Sequence, residues 1–401
     1  MDTQDIIKNK DGHMLHALTH TIPTVRPARS GKTDQWVTLA GLPIDPDTEP
    51  YHFLISGDTR IWQTEAIMNL LAQLDHRGDR AIIVDPDGRF ERQFGREGDV
   101  RIDPTDPRAV AWSPFAEMTR DADAAVLARW MLQDTGAECH EVDRRYAARE
   151  VLTLVLKSLY QANATNQDLS RALSAIDLDQ NRVLQPSLNT LTQELRDEIH
   201  AELGALRAWL DMLPPDVGRR AWSLRRWAEA GAGWLWIPRA EPVTPARQLI
   251  PIWVSVLAHT AIAEQMATRL RTWMIAGDIA DIGSGALAQS LSYPQGLCVV
   301  ATMRSITRLH AIHGHYAANR LLGAFHHHMV MRAEDPDLAA WAAETLSRHS
   351  TSDEAPPRPL LGPNDIATLP EGAMYLRLAG DVRIVPVDLR VVRGAASTHR
   401  G

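Results

Sequence analysis

The chain has 401 residues, 45% hydrophobic and 23% charged, enough to bury one large domain with an insertion or two to three smaller ones. A formal charge of −8 excludes a globally basic nucleic-acid binder and leaves DNA only a local patch or an oligomeric channel. Two distant cysteines, Cys139 and Cys298, form no zinc or disulfide framework and favour a reducing compartment, and no apolar run reaches the ~18 residues that span a bilayer.

In chain order, residues 1–35 are polar (Asp2, Asp5, Lys8, Lys10, Asp11) and lack the apolar core of a signal peptide. Trp36 to Pro43 reads as a short β segment and Phe53-Leu54-Ile55 as a buried strand. Ile67, Leu70, Leu71 and Leu74 have helical spacing and predict a helix over Glu65 to Leu74. Ala81 to Asp85 is a second apolar strand, ended by the turn signal Pro86-Asp87-Gly88. From 121 to 229 glycine is scarce and apolar residues recur at helical spacing, as in Val151, Leu152, Val155, Leu156 and Leu159, which predicts an all-α insertion. Strand character returns at Gly233 to Ile237, Trp273 to Asp278, Leu297 to Thr302, and His328 to Met331. Helices are expected over Leu249 to Met266 and Tyr316 to Phe325. Ser350 to Pro359 reads as a linker, and Gly372 to Arg390 as two strands around a Gly380-Asp381 turn. Strands alternating with helices imply a mostly parallel α/β sheet.

The segment Gly57-Asp58-Thr59-Arg60-Ile61-Trp62-Gln63-Thr64 stands where a G-x-x-x-x-G-K-[ST] phosphate loop would lie between the first strand and its helix. Gly57 and Thr64 match. The second glycine is Trp62 and the lysine is Gln63. That pattern loses close backbone approach and the cation that neutralises phosphate. The Trp62 ring is expected to fill the phosphate space, and Asp58 to repel a polyphosphate unless a metal intervenes.

Several ordered segments resemble the cytosolic ATPase domain of type IV secretion coupling proteins, the TraD-like DNA pumps of bacterial conjugation. They are Leu42-Pro43 with Glu49 to Leu54, His76 to Gly88 with Phe94-Gly95-Arg96, Trp112-Ser113-Pro114-Phe115, Trp222 to Trp227 with Gly233 to Ile237, Ser305 to Gly314 with Ala317 to Leu322, and Leu369-Pro370 with Tyr375 to Gly380. The likeness runs from about residue 36 to 392. It implies a P-loop NTPase fold of the RecA/FtsK kind, a twisted parallel sheet with helices on both faces. Residues 36–120 and 230–392 would form the α/β domain, 121–229 an inserted all-α domain, and 393–401 a tail. It further implies ATP and Mg²⁺ as cofactors, DNA and type IV secretion or conjugation proteins as partners, a homo-hexamer or paralogue subunit as assembly, and a cytoplasmic place, peripheral to the inner membrane through partners. The family's N-terminal membrane helices are absent from this chain.

By the same resemblance the nucleotide cradle would be Gly57, Asp58, Thr59, Gln63 and Thr64, with Thr64 and Asp278 on the metal. The acid pair that holds metal and orients water in the family is here Asp278 followed by Ile279, and the glutamine that senses the γ-phosphate is Arg304. Asp278 is either a metal ligand or a solvated strand-end acid. Arg304 either replaces the lysine's charge or pairs with Asp278 or Asp58. Arg332 is the candidate subunit-bridging arginine. Arg219, Arg220, Arg225 and Arg226, interleaved with Trp222 and Trp227, either meet DNA by charge and stacking or form a helix end with structural tryptophans. His326-His327-His328 alternate across a strand, so they read as packing rather than a metal site. Two functions stay open: a motor domain that recruits and pumps DNA with strongly impaired hydrolysis, and a catalytically silent structural or regulatory partner. An unrelated α/β binding protein is the remaining alternative.

Overall fold

The computed structural model describes residues 36–85, 87–133, 139–174, 192–230, 233–238, 245–268, 272–282, 291, 297–347, 361–379 and 385–388. The N-terminal segment, the Ser350 to Pro359 linker, the Gly380-Asp381 turn and the C-terminal tail lie outside them. A short antiparallel pair, β1 (Thr38–Leu39) and β2 (Leu42–Pro43), precedes the main sheet. That sheet has nine strands: β3 (Phe53–Ser56), β4 (Arg80–Asp85), β5 (Val100–Arg101), β6 (Leu235–Pro238), β7 (Thr272–Ala276), β8 (Leu297–Met303), β9 (His327–Met331), β10 (Ala373–Arg377) and β11 (Val385–Asp388). Their order is β11-β10-β9-β3-β8-β7-β4-β6-β5, parallel throughout except where β10 pairs antiparallel with β9 and β11.

The central strands are continuous apolar runs because both sheet faces are covered. Period-two alternation sends Phe53 and Ile55 to one face, with Ile67, Leu70, Leu71 and Leu74 of α1 (Arg60–Arg77) and Phe90 of α2 (Arg89–Phe94). Leu54, Val299 and Ala301 go to the other. There they join Ile250, Trp253 and Leu257 of α8 (Leu249–Thr268), Leu309 and Leu321 of α9 (Ile306–Leu322), and Leu338 and Leu346 of α10 (Pro336–Ser347). Each fully buried Leu or Ile is worth ~1.5–3 kcal/mol relative to an exposed one. Among the described residues from 121 to 229 there are helices and no strand: α3 (Asp123–Met131), α4 (Cys139–Gln161), α5 (Asn166–Ser174), α6 (Gln193–Leu210) and α7 (Leu224–Ala230). Their apolar faces, including Leu152, Leu156, Leu203 and Trp209, join the same core as α8 and α9.

The junction with this helical stretch is built on a buried acid. Glu117 accepts from Trp112 Nε1 at 2.9 Å, from Ser223 Oγ at 3.1 Å, and from the backbone N–H groups of Leu224 and Arg225 at 2.8 and 3.0 Å. It caps α7 while tying the outgoing and returning chain together. Other tryptophans also bury their rings and spend their N–H on aspartates: Trp236 on Asp99 at 3.0 Å and Trp273 on Asp79 at 2.7 Å.

Two expected helices have different bounds. α1 begins at Arg60 rather than Glu65, and α9 occupies Ile306–Leu322 rather than Tyr316 to Phe325, with a break at Gly314 (φ 71°, ψ 159°).

The buried histidines His52, His327 and His328 pack as neutral rings, whereas His326, expected to pack with its neighbours, is exposed. His52 Nδ1 accepts from Val299 N at 3.2 Å, which leaves Nε2–H to donate to Leu291 O at 3.1 Å. His327 Nδ1 accepts from Ala379 N at 3.1 Å, Nε2–H donates to Thr48 O at 2.7 Å, and the ring stacks on Phe53. Burial lowers His52 and His327 to about 4 and His328 to about 3. Unfolding frees them to protonate near 6.5. Their stabilisation is therefore complete above that pH and is lost as pH falls towards 4. Going from pH 7 to pH 5 should cost about 2 kcal/mol per ring, read from urea unfolding at both pH values. Equal stability at pH 7 and pH 5 would contradict the neutral packing.

Candidate functional site

The carboxyl ends of β3, β7, β8 and β9 meet at one edge of the sheet, where open α/β folds place ligands. Gly57 leaves β3 with φ +142°, and an added Cβ would lie 2.8 Å from Met331 Cβ. Its N–H donates to Met303 O at 3.1 Å, and Asp58 N–H donates to Arg332 O at 3.1 Å. After Thr59 the chain is already helical, and Gln63 N–H donates to Thr59 O at 3.3 Å. The cradle expected from residues 57–64 is thus not formed as an open loop. The N–H groups of Gly57, Asp58 and Gln63 are spent on carbonyls, because the helix starts where a phosphate loop would still be turning.

Gln63, at the lysine position, is 3% exposed, and Nε2 donates to Gly57 O at 2.7 Å and reaches Met303 O at 3.4 Å. Its amide bolts the turn to two strand ends. Asp58 faces the neighbouring loop, with Oδ2 accepting from Glu334 N at 2.6 Å. Thr59 makes no side-chain cap to α1, and its hydroxyl lies 3.4 Å from Asp58 Oδ1. Thr64 lines a narrow cleft with Arg60, Gln63, Ile67, Phe90, Gly277, Thr302 and Arg304. The cleft has room for about one water. Trp62 is not part of that lining; its ring packs half-buried against the α1-side core. Contrary to the expectation, the Trp62 ring does not enter this cleft, and Arg304 lines it.

Asp278 is 5% exposed, so it is not a solvated strand-end acid. Oδ1 accepts from Ala280 N at 3.0 Å, capping the short turn Ile279–Asp281. Oδ2 accepts from Arg308 Nη1, with Arg304 Nη2 at 3.5 Å. The other arm of Arg308 donates to Asp281 Oδ1 at 3.0 Å, and Arg247 also donates to that oxygen. One planar guanidinium spans two carboxylates that would otherwise repel. Ile279, at the position of the water-orienting glutamate, is fully buried in the apolar core. A carboxylate there would face hydrocarbon and not the cleft.

Arg308, Asp281 and Arg247 escaped the sequence reading. Their only local signals are the i,i+4 spacing of Arg304 and Arg308 and the i,i+3 spacing of Asp278 and Asp281; the rest depends on β7 and β8 being neighbours.

A metal–nucleotide complex needs donors that converge on phosphate, a neutralising cation and an acid available to the metal's waters. Here the N–H groups of Gly57, Asp58 and Gln63 are bonded to carbonyls, the cation is replaced by a glutamine turned to the backbone, and the acid is covered by arginine. The residues present do not fit Mg²⁺-ATP.

The family model described as "Type IV secretion-system coupling protein DNA-binding domain" matches residues 36–356. The chain belongs to this family of coupling proteins. It is similar to the solved bacterial conjugative coupling protein TrwB lacking 70 N-terminal residues, with 26% identity, 89% of this chain and 90% of that one covered, and a TM-score of 0.78. TrwB has also been solved with ADP and Mg²⁺, again at 26% identity and TM-score 0.78, covering 90% of this chain and 92% of that one. VirB4 of Thermoanaerobacter pseudethanolicus shares the fold at 13% identity and TM-score 0.52, over 84% of this chain and 88% of that one. No curated protein matches the chain. The P-loop NTPase fold expected from the resemblance is thereby established for this coupling-protein chain.

The remaining sequence candidates lie apart from the cleft. Arg332 Nε is 3.6 Å from Glu334, in the loop that receives Asp58. Arg219 lies over the Tyr160 ring at 4.4 Å, Arg220 is exposed, Arg225 pairs with Asp123 at 3.5 Å, and Arg226 donates to Ala221 O. Trp227 is buried and Trp222 packs against the core, so neither ring is offered for stacking on a base. The buried ion pairs make one substitution diagnostic. Asp278→Ala strands Arg308 beside a single carboxylate and should lower unfolding stability by about 2–4 kcal/mol, discounted for the part-exposed arginine. Guanidinium unfolding reads this without any activity assay, and a change under about 0.5 kcal/mol, ordinary for a surface site, would contradict the network.

Proposed function

We propose that this coupling-protein relative works in conjugation or type IV secretion as a catalytically silent member. It keeps the α/β body (36–120 and 230–392) and the helical insertion (121–229), and it acts as a structural or regulatory subunit in a ring of its own copies or of paralogues. Its place in this reading is cytoplasmic, held near the inner membrane by partners; no helix among the described residues is long and apolar enough to cross a membrane. The observation that carries the proposal is the Arg308 fork across Asp278 and Asp281, which puts a guanidinium on the carboxylate a motor would present to its metal. The Gln63 bolt and the buried Ile279 support it independently. Losing one positioned electrostatic group costs ~10²–10³ in rate, and here several are lost together.

The reading predicts that millimolar Mg²⁺-ATP leaves the melting temperature unchanged, since a ligand at 100-fold its Kd would add ~2.7 kcal/mol. It also predicts phosphate release at the level of a blank, with or without DNA. A turnover of ~1 s⁻¹ that disappears in Asp278→Asn would overturn it.

A further inference from the structure

Although the chain has 50 acidic residues, none falls between Ile282 and Ala333, a stretch that holds Arg304, Arg308, Arg320 and Arg332 and His310, His313, His315, His326, His327 and His328. The fold sorts these groups. Arg304 and Arg308 are spent on Asp278 and Asp281, Arg332 lies near Glu334, and His313, His327 and His328 are buried. Of these groups, His326, His315 and Arg320 are exposed, and the last two lie on the second half of α9.

There His315, Tyr316, Asn319 and Arg320 are all exposed, and their spacing puts them on one stripe of the helix. The opposite side, Ala318, Leu321 and Leu322, is buried. The break at Gly314 brings the rings of His310 and His315 to 4.2 Å across it, a contact that i,i+5 residues of an unbroken helix do not make. Tyr316 is 76% exposed, the highest value among the large hydrophobic side chains described, and the Arg320 guanidinium sits 5.8 Å from its ring centroid. Acids on the elements packed against α9 meet its first half, before the Gly314 break, or are engaged on their own: Asp278 and Asp281 by Arg308, Asp337 by the Thr307 hydroxyl at 3.2 Å, and Glu344 in contacts of its own.

An acid-free stripe with a guanidinium, an imidazole and a presented aromatic face matches the two needs of single-stranded nucleic acid, cations along the backbone and a ring on which a base can stack. A bare polyanion would need no aromatic. We propose that the α9 face formed by His315, Tyr316 and Arg320 binds single-stranded DNA, with Tyr316 as the stacking platform and Arg320 on the phosphates. The choice of DNA over another single strand rests on the coupling-protein reading; the place on the molecule does not, and it differs from the Arg219–Arg226 segment favoured by sequence.

The test is fluorescence anisotropy of labelled oligothymidylate with the full chain, without nucleotide, so the outcome is independent of any ATPase result. Tyr316→Ala and Arg320→Ala should each weaken binding about tenfold, Arg320→Ala should flatten the log–log salt dependence by about one unit, and Arg220→Ala should change affinity less than about twofold. Both target side chains are exposed, and unchanged circular dichroism confirms that the variants fold. The proposal is overturned if Tyr316→Ala and Arg320→Ala bind like the parent, if Arg220→Ala loses as much as they do, or if the parent binds no oligothymidylate at low salt. Heparin competing equally against parent and Tyr316→Ala, with no loss of DNA affinity in the variant, would mean charge alone and would also overturn it.

Discussion

A single guanidinium decides what the carboxyl edge of this sheet can do. Asp278 and Asp281 are both nearly buried at the end of β7, and two desolvated carboxylates this close need a cation between them. In a motor of this fold the cation at the first acid is a hydrated metal that arrives with nucleotide. Here Arg308 is supplied by the next helix and divides its two arms between the acids, with Arg304 and Arg247 at the flanks. The charge requirement of the two acids is met within the chain.

The other side of the cleft is closed by the same logic applied to the backbone. A phosphate loop keeps N–H groups pointing at empty space until an anion satisfies them. Here the helix starts at Arg60, the N–H groups of Gly57 and Asp58 find carbonyls on β8 and β9, and Gln63 donates to the Gly57 carbonyl itself. Glutamine does this at lower cost than lysine would, because burying an ammonium against two carbonyls loses far more hydration than burying an amide. The two halves reinforce one another through Met303, whose carbonyl receives Gly57 and lies within reach of Gln63, one residue before Arg304.

The sheet was legible in the sequence because its strands are short apolar runs, such as Phe53-Leu54-Ile55 and Leu297 to Thr302, and burial on both faces leaves little else for such runs to be. The lost motif residues were legible for a different reason: Gln63 and Ile279 sit at fixed offsets from a strand end. What they do instead was not. Ile279 turns into the core because a 3-10 turn follows Asp278, and Trp62 lies on the core side of α1 because the helix starts early; neither event leaves a periodic trace. Arg308 was invisible as a partner of Asp278 because the contact exists only once β7 and β8 lie side by side. The tryptophans flanking Arg225 and Arg226 misled for the complementary reason: interleaving looks the same whether rings face solvent or pack against the core.

The coupling-protein fold persists in this chain, since its core needs only apolar pattern and register. In the proposed reading, the groups that a motor would turn to phosphate and metal are held by internal hydrogen bonds and ion pairs. The most direct measurement is a crystal structure of the protein grown with excess Mg²⁺-ADP. The account predicts Arg308 still bridging Asp278 and Asp281, Gln63 still on the Gly57 carbonyl, and no nucleotide density at the N-terminus of α1. A nucleotide bound there, with Mg²⁺ beside Asp278 and Arg308 swung away, would contradict it.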